Sequence, residues 1–167
     1  RKYYDFPKAL ECYELATECY NKANRLEHKL YGMLSQSAIY KLMDKETDSF
    51  HILYNTLIEA KETKQTSIIR FCLGDLIMLC LNMDKQEDAM SFYNELINNY
   101  SIEKMTSSFY ANLGLLMAKD NDSEKSQFYI EEAWKCARNK NDSINLYYIL
   151  SRIEHMNSSY EDAYTSL

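Results

Sequence analysis

A run of helical periodicity, a polar break and a second helical run recur along this chain at nearly constant intervals. In one copy, S-F-Y-A-N-L-G-L-L-M-A-K places Tyr110, Leu113 and Met117 on one helical face around Gly114, and D-N-D-S-E-K interrupts it. S-Q-F-Y-I-E-E-A-W-K-C-A-R then puts Phe128, Ile130, Ala133, Trp134 and Ala137 on a second face. Asn121, Asp122 and Ser123 are helix-starting residues, and Glu124 and Lys125 suit a first turn. The unit is a helical hairpin. Helices that follow a polar break align on Ala9, Tyr13, Ala16, then Phe50, Tyr54, Leu57, then Ala89, Tyr93, Leu96, then Ser126, Ile130, Ala133, and last Ala163 and Leu167. Their starting positions step by 41, 39, 37 and 37 residues.

The helices in between align on Tyr31-Gly32, Leu73-Gly74, Leu113-Gly114 and Leu150-Ser151, so all three glycines fall at one position of this alignment. A mid-helix glycine costs about 1 kcal/mol in propensity. Its recurrence predicts close approach of the partner helix of the same hairpin. Three Gly and one Pro in 167 residues are too few for the turns of a sheet protein, so the class is all-α. Fifteen Tyr and eight Met supply large, adaptable side chains for helix faces. Asp5 reads as an N-cap with Pro7 inside the first turn. Self-similarity at this period predicts a solenoid in which each unit buries its neighbour's apolar face.

The apolar-Gly pair in the first helix and A-x3-Y-x2-A in the second resemble the tetratricopeptide repeat. Asp5-Phe6-Pro7-Lys8-Ala9 and Ser159-Tyr160-Glu161-Asp162-Ala163 resemble that family's second-helix opening. The resemblance covers essentially the whole chain and implies a right-handed α–α superhelix of about four hairpins. The expected units are a second helix over 5–25, then hairpins over 26–64, 65–101, 104–140 and 141–167, a piece of a longer chain. The spacing exceeds the family's 34 residues, and the family's usual Pro and first-helix Trp are missing. Trp134 lies in a second helix, as a packing residue.

Composition and motifs exclude several function classes. A net charge of -6 weighs against direct nucleic-acid binding, and no apolar run reaches membrane-spanning length. The five Cys show no paired short spacing; Cys12 and Cys19, and Cys72 and Cys80, share helix faces and read as buried thiols in a reducing cytosol. His28, His51 and His155 lie far apart, and no metalloprotease, redox or nucleophile-elbow motif occurs. The chain reads as no enzyme, without cofactor. Asp120, Asp122, Glu124 and Glu131 have an EF-hand-like spacing, but Lys125 stands where the loop needs Gly; no metal site is expected. N-x-[ST] triplets at Asn99, Asn121, Asn141 and Asn157 fall in expected turns and read as coincidence. The location expected is cytoplasmic, the alternative being a periplasmic sensor region of a membrane-anchored regulator.

The resemblance also implies a concave groove lined by the first helix of each hairpin, where a ligand peptide lies. Carried over around each glycine, it implies Lys29 and Gln36, Phe71 and Asp75, Asn112 and Lys119, and Asn145, Tyr148, Arg152 and His155 as partner-contacting residues. Apolar residues at most other groove positions exclude the family's clamp for acidic peptide tails. The function expected is a non-catalytic scaffold or sensor module that binds a protein or peptide, within a larger bacterial signalling or regulatory protein. The alternatives are a peptide-pheromone-responsive transcription regulator without its DNA-binding part, and a structural array that forms homo-oligomers.

Overall fold

The computed structural model describes residues 5–103 and 105–165, with side chains through residue 156. Among the described residues there are eight helices and no strand: α1 (Phe6–Lys22), α2 (Leu26–Leu42), α3 (Glu46–Glu62), α4 (Thr66–Asn82), α5 (Gln86–Asn99), α6 (Ser107–Lys119), α7 (Ser123–Cys136) and α8 (Lys140–Thr165). Asp5 caps α1 by accepting from the Lys8 N–H at 3.1 Å, with Pro7 in the first turn. Thr106 and Asp122 cap α6 and α7 in the same way. Each such cap satisfies one of the N–H groups that a helix start leaves without a partner.

The turns set the metre. Asn24, Asp44, Lys64, Asp84 and Asn121 all adopt positive φ, between 53° and 60°. In each case the next residue's N–H returns to a carbonyl five residues back: Arg25 to Tyr20, Lys45 to Tyr40, Gln65 to Ala60, Lys85 to Cys80 and Asp122 to Met117. This αL closure usually uses Gly. Here Asn and Asp, which tolerate αL through their short polar side chains, take four of the five places. That is how eight helices form with almost no turn glycine. From Asn24 to Asp84 the turns recur every 20 residues, giving 17-residue helices joined by three-residue links. Lys64 lacks the compensation available to Asn or Asp. Lys64→Gly is therefore expected to raise stability by about 0.5–1 kcal/mol. The measurement is a urea midpoint that rises at unchanged slope.

The chain is an all-α solenoid of two layers. Neighbours in sequence pack as antiparallel pairs, and α2, α4, α6 and α8 also meet side by side with Cα atoms within 8 Å. The odd helices do not approach one another that closely. They meet through long side chains, as in Lys61–Glu95 and the Tyr93–Tyr129 hydroxyl pair at 2.9 Å. The even layer is thus the inside of the curve. Helix α4 sits at the centre with nine buried residues, among them Leu73, Leu76, Leu79 and Cys80, and is apolar on nearly every side. Helix α1, at the edge, buries none completely.

Several sequence expectations need correction. Gly32, Gly74 and Gly114 do not share an environment. A Cβ on Gly32 meets Thr17 of α1, one on Gly74 meets the Phe109 ring of α6, and only Gly114 backs onto its own hairpin partner, at Ile130 and Ser126 of α7. The 20-residue metre pairs Gly32 with Cys72 and Leu34 with Gly74, so the glycine alignment was two residues out of register. In α3 the buried face is Ser49, Leu53, Thr56, Leu57 and Ala60; Phe50 is half-buried and Tyr54 exposed. Cys12 and Cys19 are exposed rather than buried. Helix α8 runs unbroken to Thr165, so Ser159–Ala163 opens no further helix and the last hairpin expected over 141–167 does not form. None of the described helices is long and apolar enough to cross a membrane.

Candidate functional site on the inner layer

The even helices leave two adjoining crevices. The first, about 470 Å³, lies between α2 and α4 and is lined by Tyr31, Leu34, Ser35, Ala38, Lys41, Ser67, Ile68, Phe71 and Asp75. The second, about 240 Å³, lies between α4 and α6 and is lined by Phe71, Gly74, Asp75, Met78, Met105, Thr106, Ser108, Phe109 and Asn112. Phe71 and Asp75 stand in the wall shared by both. They lie one helical turn apart on α4, which puts them on one face.

Tyr31 and Phe71 are 40 residues apart, the length of one hairpin, and are 50% and 51% exposed. Half of each ring is therefore open to a partner, on a surface that is otherwise mostly apolar. The carboxylate in the shared wall is neutralised: Lys41 of α2 donates to Asp75 across the gap at 2.5 Å. No charge among the lining residues is left without an opposite partner, so the crevices suit uncharged, bulky side chains. Asn112 donates its amide to the Ser108 carbonyl at 2.9 Å, which leaves its side-chain oxygen as an acceptor in the second crevice.

The ten expected contact residues do not all meet here. Phe71, Asp75 and Asn112 come together in the crevices. Lys29 turns to Glu59 of α3 at 2.5 Å and ties its own hairpin together. Gln36, 6% exposed, donates to Thr17 Oγ1 at 2.9 Å and to the Tyr13 carbonyl at 3.3 Å, so it faces α1. Lys119 reaches Asp84 at 2.9 Å, and that bond holds the Asp84 carboxyl below its ordinary value; the Lys119 carbonyl also accepts from Gln86. Lys119 is thus a strap onto the preceding turn. Asn145 donates to Ser108 Oγ at 3.3 Å and joins α8 to α6. Tyr148 is exposed with the Arg152 guanidinium 5.8 Å from its ring centre, a pair further along the same layer, and His155 is exposed on α8.

Tyr31, Leu34, Lys41, Met105 and Phe109 are crevice residues that the glycine-based reading missed. The 40-residue spacing of Tyr31 and Phe71 was available in the sequence and marks them as equivalent. Met105 lies within, and Phe109 just after, a seven-residue link between α5 and α6, where the three-residue spacing of the earlier turns no longer applies.

Among models of known protein families none matches the chain, and no curated protein matches it. Among solved structures, the crystal structure of BtubC (BKLC) from P. vanneervenii resembles it with a TM-score of 0.61 at 17% identity, over 78% of this chain and 56% of that one. The chain therefore spans little more than half the length of that structure. A likeness at this identity shows a shared helical arrangement and nothing about activity.

Proposed function

We propose that this chain is a non-catalytic module of tetratricopeptide-like repeats that holds an extended segment of a partner polypeptide along its even-helix layer. The observation that carries this reading is the pair of adjoining crevices with Phe71 and Asp75 in their common wall. Helices pack roughly 8–10 Å apart. An extended chain in the polyproline II form advances about 3.1 Å per residue and returns a side chain to the same face every third residue. Two apolar side chains about three residues apart would thus reach successive gaps, and the half-exposed rings of Tyr31 and Phe71 would cover them. Such aromatic anchors in partly desolvated pockets dominate binding energies.

The test is selection from a library of unstructured peptides displayed on phage. Enriched peptides are expected to carry paired apolar residues, and Phe71→Ala is expected to weaken them by at least about tenfold. Half of the Phe71 ring is in solvent, so the thermal midpoint should move little. Absence of enrichment, or equal affinity of Phe71→Ala, would overturn the reading.

A further inference from the structure

The units α4–α5 and α6–α7 align in register at 37 residues from their turns onward. Their αL turns are Asp84 and Asn121, and their second helices both end on an extended residue, Tyr100 and Ala137. In the earlier unit, Leu81 and Tyr93 are 1% and 4% exposed and Met90 packs on the core, and the hollow there is lined mainly by polar residues, among them Asp84, Gln86, Asp88 and Asn94. The same positions in the later unit are Ala118, Ile130 and Gln127. The neighbouring Tyr129 does not make up the loss, because its hydroxyl is bonded to Tyr93 at 2.9 Å. Helix α8 cannot simply settle into the gap. Asn145 bonds it to Ser108 of α6, and Tyr147 meets the edge of Trp134 of α7 with ring centres 5.4 Å apart.

The result is a cavity of about 360 Å³ between α6, α7 and α8. Its apolar wall is Ala118, Ile130, Leu150 and Ile153, and Asn121, Ser123 and Gln127 stand at its exposed rim. Among the described residues no ionised side chain lines it. The polar groups are largely committed already: Ser126 Oγ donates to the Gly114 carbonyl at 2.9 Å, and Gln127 Nε2 donates to Glu131 at 3.1 Å. The rim keeps the Gln127 side-chain carbonyl, an acceptor, beside the Asn121 amide and the Ser123 hydroxyl. The cavity shares no residue with the two crevices of the inner layer.

We propose that the space between α6, α7 and α8 is a binding site for a small, neutral, largely apolar molecule that carries one hydrogen-bond donor. The volume lies in the range of small-molecule sites. Apolar cavities of lesser size already take up apolar solutes, because their walls hold no ordered water. A charged molecule is disfavoured, since nothing in the described lining repays its desolvation. The donor of the bound molecule meets the Gln127 carbonyl while its apolar body covers Ile130, Leu150 and Ile153.

The probes are indole, which is neutral with one N–H, indole-3-acetate as its charged counterpart, and naphthalene as its counterpart without a donor. Saturable shifts of the Ile130 and Ile153 methyl resonances with indole, and none with indole-3-acetate, are the expected result. Ala118→Leu, which restores the side chain of the preceding unit, should weaken indole by at least about tenfold. Ile153→Phe fills the space from the opposite wall and should do the same if Ala118→Leu fails to fold. Gln127→Met should weaken indole several-fold and leave naphthalene unchanged. No saturable shift with indole, or full affinity in the filled variants, would overturn the proposal. Peptide binding by the inner layer is unaffected in either case, which keeps the two readings separable.

Discussion

Between about pH 8 and about pH 10.5 the protein is expected to lose about 4 kcal/mol of stability, from two thiols. Cys72 and Cys80 are fully buried. Burial, reinforced by the nearby Asp75 charge, pushes Cys72 from its ordinary value of 9.0 up to about 12. Burial and Asp88 push Cys80 up to about 11. Above the ordinary value the unfolded chain releases both protons while the folded chain keeps them. The unfolded state then binds fewer protons, so stability falls as pH rises, by about 1.4 kcal/mol per unit for each thiol. This contribution is fully present below pH 9.0 and is lost as pH climbs toward the folded values. Tyr40, Tyr110 and Tyr129 are raised by burial as well, so their effect above pH 10 has the same sign. Urea unfolding under reducing conditions measures the slope. The double variant Cys72→Ala, Cys80→Ala should be less stable at about pH 8. It should also show a much flatter profile; an equally steep one would refute the assignment to these thiols.

Gly114→Val should destabilise the protein by about 3 kcal/mol. A Cβ at this position lies 2.8 Å from Ile130 Cγ1 and Cδ1 and 3.3 Å from the Ser126 carbonyl oxygen. The Ile130 side chain can turn aside for one methyl group. The Ser126 backbone cannot, and the Ser126 hydroxyl is bonded to the Gly114 carbonyl, which pins the helices at this separation. A β-branched residue has too few rotamers to avoid both obstacles. Helix α7 must therefore move away from α6, breaking the packing of a fully buried Ala133. Ile130→Ala in the same chain should recover more than half of the loss, since the two residues touch and their effects are not additive. A cost below about 1 kcal/mol would show that the interface yields more easily than its geometry implies, and no recovery would place the obstacle at the Ser126 backbone rather than at Ile130.

The helical class and the solenoid were legible because amphipathic periodicity and the shortage of turn residues act through the backbone alone. The α1 start at Asp5 and Pro7 was legible for the same reason: a cap is a local bond. Register was not. Glycine is a sensible landmark for close approach, yet close approach occurs against three different neighbours here: Thr17, Phe109 and Ile130. The reliable marker was the αL residue, which the chain supplies as Asn, Asp or Lys and which therefore resembles any polar surface residue. The register error this caused, two residues at Gly32 and three at Gly114, carried into the site. Lys29, Gln36 and Lys119 were expected to face a partner and are tied to Glu59, Thr17 and Asp84. Ion pairs and amide bonds between successive layers depend on tertiary neighbours, so sequence spacing gave no warning of them. Phe71 and Asp75 were reached by counting around Gly74, and both line the crevices.

Among the described residues, no helix touches another more than two places away along the chain. Each new helix thus finds its packing partners among the segments made just before it, and little loop-closure entropy must be overcome before contacts form. Such a chain can acquire its structure progressively as it leaves the ribosome. It can also gain or lose a whole pair of helices in the course of descent while every remaining junction keeps its neighbours.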